Sequence, residues 1–346
     1  MKEIPKKLSN WYKQSSKDYP WRLNSSAYSI WISEIMLQQT QAQTVISYYN
    51  NWISIYPDLD NLNNANLDQL LKLWEGLGYY SRVKNIYNAS KLIASQYNNQ
   101  IPSTYNELIS LPGIGDYTAS AILSIAYNKP YPSIDGNLKR VISRVNALNK
   151  PKQNLDNFKH FVSQFFLKYN PGIINQSLMD LGREICTFRN PKCEICPISY
   201  ICIAYKNNTM HLFPSKKNKK LIPTYNVTVG IIFKKNKFLI SQRKNNGLLA
   251  NLWELPGGKK QANETNLECL KREIKEETDL IISEPKYIGN IKHQYSHFKI
   301  SIDLFSCKYF SGTAKPLSSQ KIKWILKKDI NKFTFPTATH KLFQLL

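Results

Sequence analysis

The stretch Leu111-Pro112-Gly113-Ile114-Gly115-Asp116-Tyr117-Thr118-Ala119 decides how this chain is read. Pro112 cannot continue a helix, and the two glycines let the backbone turn sharply and lie close against another surface. Apolar spacing predicts a short helix over 105–110 before it and a second over 117–126 after it. The second helix opens with free backbone N–H groups pointing outward, an arrangement that grips a phosphate without reading sequence. Taken alone, the stretch is also compatible with an ordinary glycine-rich turn between packed helices.

Working outward, helical spacing recurs on both sides. Residues 29–37, with Ile30, Trp31, Met36 and Leu37 at near-helical intervals, read as a helix, as do 40–56, 67–74, 81–96, 137–147, 155–169 and 174–185. No long alternating pattern interrupts residues 8–205, so this half is all-α. After Tyr205 the character changes. Residues 207–223, with Lys216, Lys217, Lys219 and Lys220 between Pro214 and Pro223, read as a basic extended connector. Beyond it the period falls to two: strands are predicted at 225–233, 237–242, 288–293 and 299–309, with a helix at 267–278. The second half is therefore α+β, and no internal repeat is found.

The chain has 346 residues and a mass of 40.1 kDa, room for two or three packed units. Its 42% hydrophobic and 12% aromatic residues fill such cores and exclude a wholly disordered chain. No apolar run approaches the roughly 18 residues of a spanning helix. The start, MKEIPKKLSNWY, has charge but no apolar stretch of a secretory signal. A soluble intracellular protein is expected. The formal charge is +23, and both halves carry an excess of Lys and Arg. Nucleic acid is the natural polyanionic partner, ahead of membrane, because no basic amphipathic helix stands out. A Lys- and Asn-rich composition of an AT-rich genome is the plainer account of part of that charge.

Four of six cysteines, Cys186, Cys193, Cys196 and Cys202, form a C-x6-C-x2-C-x5-C array; Cys269 and Cys307 stand alone. Clustered thiols in an intracellular chain usually hold metal rather than disulfides. Zinc modules commonly pair two short knuckles, and only one C-x2-C occurs, so one cubane iron–sulfur cluster suits the spacing better than zinc. Such a cluster could fold the basic loop 189–192 against phosphates. Two carboxylates draw notice. Asp135, in Ser133-Ile134-Asp135-Gly136-Asn137, is a good helix N-cap; Glu34, in Ser33-Glu34-Ile35-Met36-Leu37-Gln38-Gln39-Thr40, could be an exposed helix glutamate. Neither is diagnostic alone.

Their order is. Glu34, the glycine hairpin, Asp135-Gly136-Asn137 and then the cysteine array resemble the helix–hairpin–helix DNA glycosylases that carry an iron–sulfur cluster. Within that group the chain is similar to the MutY family of adenine glycosylases, through SEIMLQQTQ (33–41), LWEGLGYYSR (73–82), LPGIGDYTA (111–119) and DGNLKR (135–140). The resemblance spans about residues 5–205 and continues more weakly beyond. It implies a helical glycosylase unit over 1–206, with a six-helix barrel near 22–126 and a cluster subdomain from 1–21 plus 127–206. The connector 207–223 and a Nudix-like domain over 224–346 follow. It further implies one [4Fe-4S] cluster on the four cysteines, Glu34 as proton donor to adenine N7, and Asp135 as the group that stabilises the sugar cation. Tyr117 and Asn137 would orient the site. Tyr117 stands where the sister family, endonuclease III, has a nucleophilic lysine, so a monofunctional glycosylase without a lyase step is expected. Two acids are chemically apt, because adenine leaves only when protonated and leaves behind an oxocarbenium-like sugar. Since the base must be flipped out, Gln39 and Tyr79 would fill or wedge the gap beside Leu37 and Thr40. Gly113, Gly115 and Lys139 would meet phosphates, with Arg140 beside them.

In the second half, Gly258-x5-Glu264-x7-Arg272-Glu273-Ile274-x-Glu276-Glu277-x-Asp279-Leu280 follows the Nudix box, with Asp279 in place of a late glycine. In Nudix hydrolases such carboxylates hold Mg²⁺, so Glu273, Glu276 and Glu277 would bind it if the box were active. MutY proteins use this domain to read 8-oxoguanine, and Tyr295-Ser296-His297 resembles their Phe-Ser-His loop. Ser296 would make the discriminating hydrogen bonds and Tyr295 the stacking. The box is then a relict, with pyrophosphohydrolysis and a merely solvated helix as the competing readings. Leu248-Leu249-Ala250-Asn251-Leu252-Trp253-Glu254-Leu255-Pro256 is similar to the family's strand leading into the box. The expected activity is removal of adenine opposite 8-oxoguanine or guanine in double-stranded DNA, by a cytoplasmic, nucleoid-associated monomer that does not bind membrane.

Overall fold

A computed structural model describes residues 3–149, 155–215 and 221–346. Lys216, Lys217, Lys219 and Lys220 of the basic connector lie outside the described residues. By contact the chain forms two compact units, one of Met1–Ala65 with Asn85–Asn218, the other of Asn66–Lys84 with Lys219–Leu346. The segment Asn66–Lys84, read from sequence as part of the helical half, thus packs with the C-terminal unit. Among the described residues no helix is long and apolar enough to cross a membrane.

The first unit is all-α, as expected. Its central helix, Ala27–Leu37, is apolar on every side, and Tyr28 through Met36 are buried without a break. Ser26 caps it by accepting from the Ser29 N–H at 3.1 Å. It packs on the helix Asp116–Ile125, which in turn packs on Pro171–Asp180. Between Tyr105–Ser110 and Asp116–Ile125 lies the glycine hairpin. Gly113 sits at φ +79, in the left-handed region, and a Cβ there would lie 2.7 Å from Asn85 Cβ. A second core joins Leu8, Leu138, Val141, Ile142, Phe158, Ile174 and Leu178 from helices Glu3–Ser15, Gly136–Val145, Leu155–Ser163 and Pro171–Asp180. The helix predicted over 155–169 is shorter than expected. That predicted over 174–185 starts earlier, because Asn170 caps it and Pro171 is set for a first turn, and it ends in a π-helical turn, Leu181–Ile185.

The second unit is built on a seven-stranded mixed sheet: β1 (Thr224–Lys234), β2 (Lys237–Gln242), β3 (Trp253–Glu254), β4 (Gly257–Lys259), β5 (Ile281–Gln294), β6 (Lys299–Ser311) and β7 (Lys321–Leu326). The path runs β3-β2-β1-β6-β5, with β4 on β1 and β7 on β2; β1 and β6 are parallel, Thr224 opposite Lys299. Alternation puts Val229, Ile231, Phe238, Ile240 and Leu304 on the face covered by Phe335, Ala338 and Leu342. Ile232, Leu239, Phe305 and Cys307 face the helix Asn266–Thr278 through Leu270 and Ile274. The strand expected over 248–256 shrinks to Trp253–Glu254, because Leu249 and Asn251 take positive φ in the preceding turns. Strands β4 and β7 are not legible in the sequence, being short or lysine-rich.

Candidate active site and metal-binding pocket

Glu34 sits on the fully buried helix, not on an exposed face as a lone helical glutamate would; it is 6% exposed. Burial pushes its carboxyl up to about 7, with the nearby Asp135 charge adding to the rise. The Tyr117 hydroxyl donates to Glu34 Oε2 at 2.8 Å, and with Arg22 it moderates the shift. Tyr117 lies in the first turn after the hairpin, and the Gln38 amide donates to Thr118 Oγ1 at 3.2 Å, tying the end of the glutamate helix to the hairpin helix. Burial and the two carboxylates hold the Tyr117 phenol well above its usual range, so it remains a donor.

Asp135 is a helix cap and a cleft residue at once. Its Oδ1 accepts from the Leu138 N–H at 2.7 Å, opening Gly136–Val145, while Oδ2 accepts from Asn137 Nδ2 at 3.0 Å. Burial raises its carboxyl, and the Leu138 and Asn137 N–H groups, the Asn137 amide and the Arg140 charge act against that rise. Arg140 also donates to Asn137 Oδ1 at 2.9 Å and so aims that amide at Asp135. The close approach depends on Gly182, where a Cβ would fall 2.6 Å from Asn137 Cβ.

Glu34, Tyr117, Asp135, Asn137, Leu37 and Thr40 line one cleft of about 550 Å³, a size that admits a nucleoside. Its walls add residues that sequence reasoning missed. Arg22 donates to Asp180 Oδ1 at 2.8 Å and Arg183 pairs with the same oxygen at 2.7 Å, while Lys17 pairs with Glu184 at 3.0 Å. Isolated basic residues carry no sequence signal of this convergence, which needs the N-terminal segment folded beside Pro171–Asp180. Gln39 follows the glutamate helix in an exposed turn at φ 57, and its side chain is not among the cleft-lining residues. Gly115 has extended backbone as the N-cap of Asp116–Ile125 with open space around it. Lys139 is half-buried on the helix behind Asp135.

The four cysteines converge on a common cavity together with Val141, Arg144 and Leu181. The Arg144 guanidinium reaches Cys186 Sγ at 3.3 Å and the Thr187 and Phe188 carbonyls at 2.6 and 3.0 Å, and Arg140 Nε donates to the Cys186 carbonyl at 2.7 Å. Among the described residues no three His, Cys, Asp or Glu side chains are arranged to grip a single metal ion. Four thiols around a cavity beside a fixed guanidinium fit a multi-iron group whose charge that cation offsets.

In the second unit, Tyr295, Ser296 and His297 form the tip of the β5–β6 hairpin, closed by the Tyr295 N–H donating to the Phe298 carbonyl at 2.9 Å. Tyr295 is packed between His293 and Phe298, and burial pushes its phenol up to about 12. Ser296 Oγ and Tyr79 Oη lie 2.7 Å apart. Of the tyrosine pair, Tyr80 is core, whereas Tyr79 is 42% exposed at φ 47. In the box, Arg272 binds Glu264 (2.7 Å), Glu273 (2.8 Å) and Glu276 (3.2 Å), and Glu277 accepts from the Gly257 N–H at 3.1 Å. Asp279 takes the left-handed C-cap position, φ 59, that a late glycine would occupy.

These features define a helix–hairpin–helix unit with a two-carboxylate cleft, followed by a Nudix-type sheet. Residues 32–163 match the model of the HhH-GPD superfamily base excision DNA repair proteins, and residues 228–345 match the NUDIX domain model. The adenine DNA glycosylase of Buchnera aphidicola subsp. Schizaphis graminum is 36% identical over 98% of this chain and 97% of its own length. That of Homo sapiens is 29% identical over 98% of this chain and 73% of its own. A thermostable thymine-DNA glycosylase structure is similar to 59% of this chain and 95% of its own at 25% identity and a TM-score of 0.55. A trapped endonuclease III–DNA covalent intermediate shares the fold over 59% of this chain and 95% of its own, at 19% identity and 0.52. The chain belongs to the adenine DNA glycosylase family of base excision repair enzymes.

Proposed function

We propose that this protein excises adenine paired with 8-oxoguanine, or with guanine, from double-stranded DNA, and that it does so without cutting the strand. The observation that carries this reading is the pairing of Glu34, pushed up to about 7 and facing a nucleoside-sized cleft, with Asp135, whose own rise is opposed by converging donors. Glu34 is protonated below neutrality and delivers its proton to adenine N7. The C1′–N9 bond then breaks with its electron pair going to adenine, and Asp135 faces the positive sugar. Water adds to C1′ and its proton returns to the Glu34 carboxylate. Asn137, held by Arg140, keeps the Asp135 carboxylate oriented, and Tyr117 keeps Glu34 turned into the cleft.

Among the described residues, the place beside Glu34 is held by the Tyr117 hydroxyl, and Lys17 on the wall is paired with Glu184, which supports a reading without a Schiff base. The flipped base would leave a gap that Gln39 and Tyr79 fill. Gly113, Gly115 and Lys139 would meet the backbone phosphates, with affinity falling as salt rises. Cys186, Cys193, Cys196 and Cys202 would hold one [4Fe-4S] cluster, which when bound supplies a cross-link that orders the loop they carry. Tyr295, Ser296 and His297 would read the oxidised base opposite. The box carboxylates engage Arg272 and the Gly257 N–H, which favours lesion reading over Mg²⁺-dependent hydrolysis. The protein would act as a cytoplasmic monomer on DNA.

The test is single-turnover incubation with a duplex holding one 8-oxoguanine·adenine pair, sampled with and without alkali. Strand breaks that require alkali are expected. Breaks without alkali, or a borohydride-trapped covalent adduct, would replace this reading with a lyase.

A further inference from the structure

Segment Asn66–Lys84 presents Tyr79, yet it is fastened to the C-terminal unit. Its fastening centres on Glu75, which lies in LWEGLGYYSR. Glu75 Oε1 accepts from the Phe335 N–H at 2.8 Å and faces His340 Nε2 at 2.8 Å, and its Oε2 accepts from Lys72 Nζ at 2.5 Å. Lys72 also donates to the Phe333 carbonyl at 3.1 Å. A carboxylate with three converging donors makes a directional, charge-assisted anchor. At the other end of the segment, Lys84 reaches Asn251 Oδ1 at 3.2 Å and the Asn245 carbonyl. Between the two anchors, Gly76 (φ 96) and Gly78 (φ 77) form a tight loop, the Trp74 indole N–H donates to the Gly78 carbonyl at 3.0 Å, and Arg82 stacks on Tyr79 and Trp74. The loop delivers the Tyr79 hydroxyl to Ser296 at 2.7 Å.

We infer that Glu75 is a positioning residue for lesion discrimination: by clamping the 66–84 segment to residues 333–340, it holds the Tyr79 and Ser296 hydroxyls as one preset pair. This rests on the proposed reading of 8-oxoguanine by the C-terminal unit. The Glu75 carboxylate is engaged by Lys72, Phe335 and His340, so it acts through the distance it fixes. Without it, the order of the loop must be supplied from binding energy when the oxidised base is met, and the advantage of the oxidised base over guanine shrinks.

The full-length protein and three variants are compared in single-turnover base release from 8-oxoguanine·adenine and guanine·adenine duplexes, together with amide hydrogen exchange over 73–82 and 333–343. Glu75→Ala removes all three acceptor contacts. It should lower the preference for 8-oxoguanine·adenine by about tenfold or more, speed exchange in both segments, and leave the guanine·adenine rate within about twofold. Glu75→Gln keeps an Oε1 acceptor for Phe335 and His340 but sets an amide NH2 against Lys72, so it should fall between wild type and Glu75→Ala; exchange over 333–343 as fast as in Glu75→Ala would deny the Oε1 contacts their part. His340→Ala, which removes one partner, should fall between, and it reads the same coupling should Glu75→Ala fold poorly. Wild-type preference and unchanged exchange in Glu75→Ala would overturn the inference. A wild-type protein with no preference for the oxidised pair would overturn the lesion reading instead; exchange then decides the anchor, faster in Glu75→Ala supporting it and unchanged refuting it.

Discussion

Glu34 in the helical unit and Glu277 in the C-terminal unit are both pushed up to about 7 by burial, yet their surroundings differ. Glu34 looks into a nucleoside-sized cleft, with a phenol as its hydrogen-bond partner and a second carboxylate nearby that accepts from the Leu138 N–H and the Asn137 amide. Glu277 turns back into its own fold to accept from the Gly257 N–H, and its neighbours Glu273 and Glu276 are bound to Arg272. A perturbed carboxyl is therefore a candidate for chemistry when it combines access with a second carboxylate whose own rise is opposed by nearby donors.

Neutralising each acid in turn separates the two. Glu34→Gln should slow adenine release by about 10³-fold, within the range general acids contribute, with duplex affinity retained in a filter or fluorescence titration. Asp135→Asn should fall nearly as far. Glu277→Gln should leave base release unchanged, and a loss there would mean that the C-terminal carboxylate takes part in the chemistry.

A change of backbone comes next. At Gly113, Ala would need the positive φ and would crowd Asn85, so Gly113→Ala should cost about 1–3 kcal/mol in chemical denaturation and weaken duplex binding. Unchanged stability would show that the hairpin can relax.

The pH dependence sharpens the Glu34 side. Because the protonated acid is the donor, base release should hold steady below about 7 and decline as pH rises through it. The Tyr117 hydrogen bond favours the ionised form, so Tyr117→Phe should move the declining limb to higher pH. A limb that stays in place would deny Tyr117 its tuning role.

The smallest effect is shared by both acids. A carboxyl whose folded value lies above its ordinary 4.5 loses folding stability as pH climbs from there to about 7, because the folded state binds the extra proton. Each Gln variant should therefore be more stable than wild type at pH 8, by on the order of 1–3 kcal/mol, and equal to it near pH 4. Thermal melts at the two pH values would read this. Stabilisation in one variant only would show that the two burials differ in kind.

Much of the candidate site could be read early because its parts are local. The glycine hairpin, the Asp135 cap and the cysteine spacings are statements about neighbouring residues, and turn geometry follows from them directly. The apolar run around Glu34 also pointed inward, though a lone glutamate in it suggested an exposed face until the packing on Asp116–Ile125 was known. Arg22, Asp180 and Arg183 gave no sign, since nothing in their local pattern says that they meet. Strands as short as Trp253–Glu254 lack a period to detect.

The order of residue types along the chain was enough to establish the helical and α+β halves, because these depend on spacing of a few residues, and the family resemblance picked out both acids and the four thiols as candidates. How deeply each acid is buried, what the Nudix-type carboxylates are paired with, and where residues 66–84 pack are visible only in the folded chain. Burial and dielectric arise only on packing, and hydrogen bonds such as Glu75 to Phe335 join segments 260 positions apart.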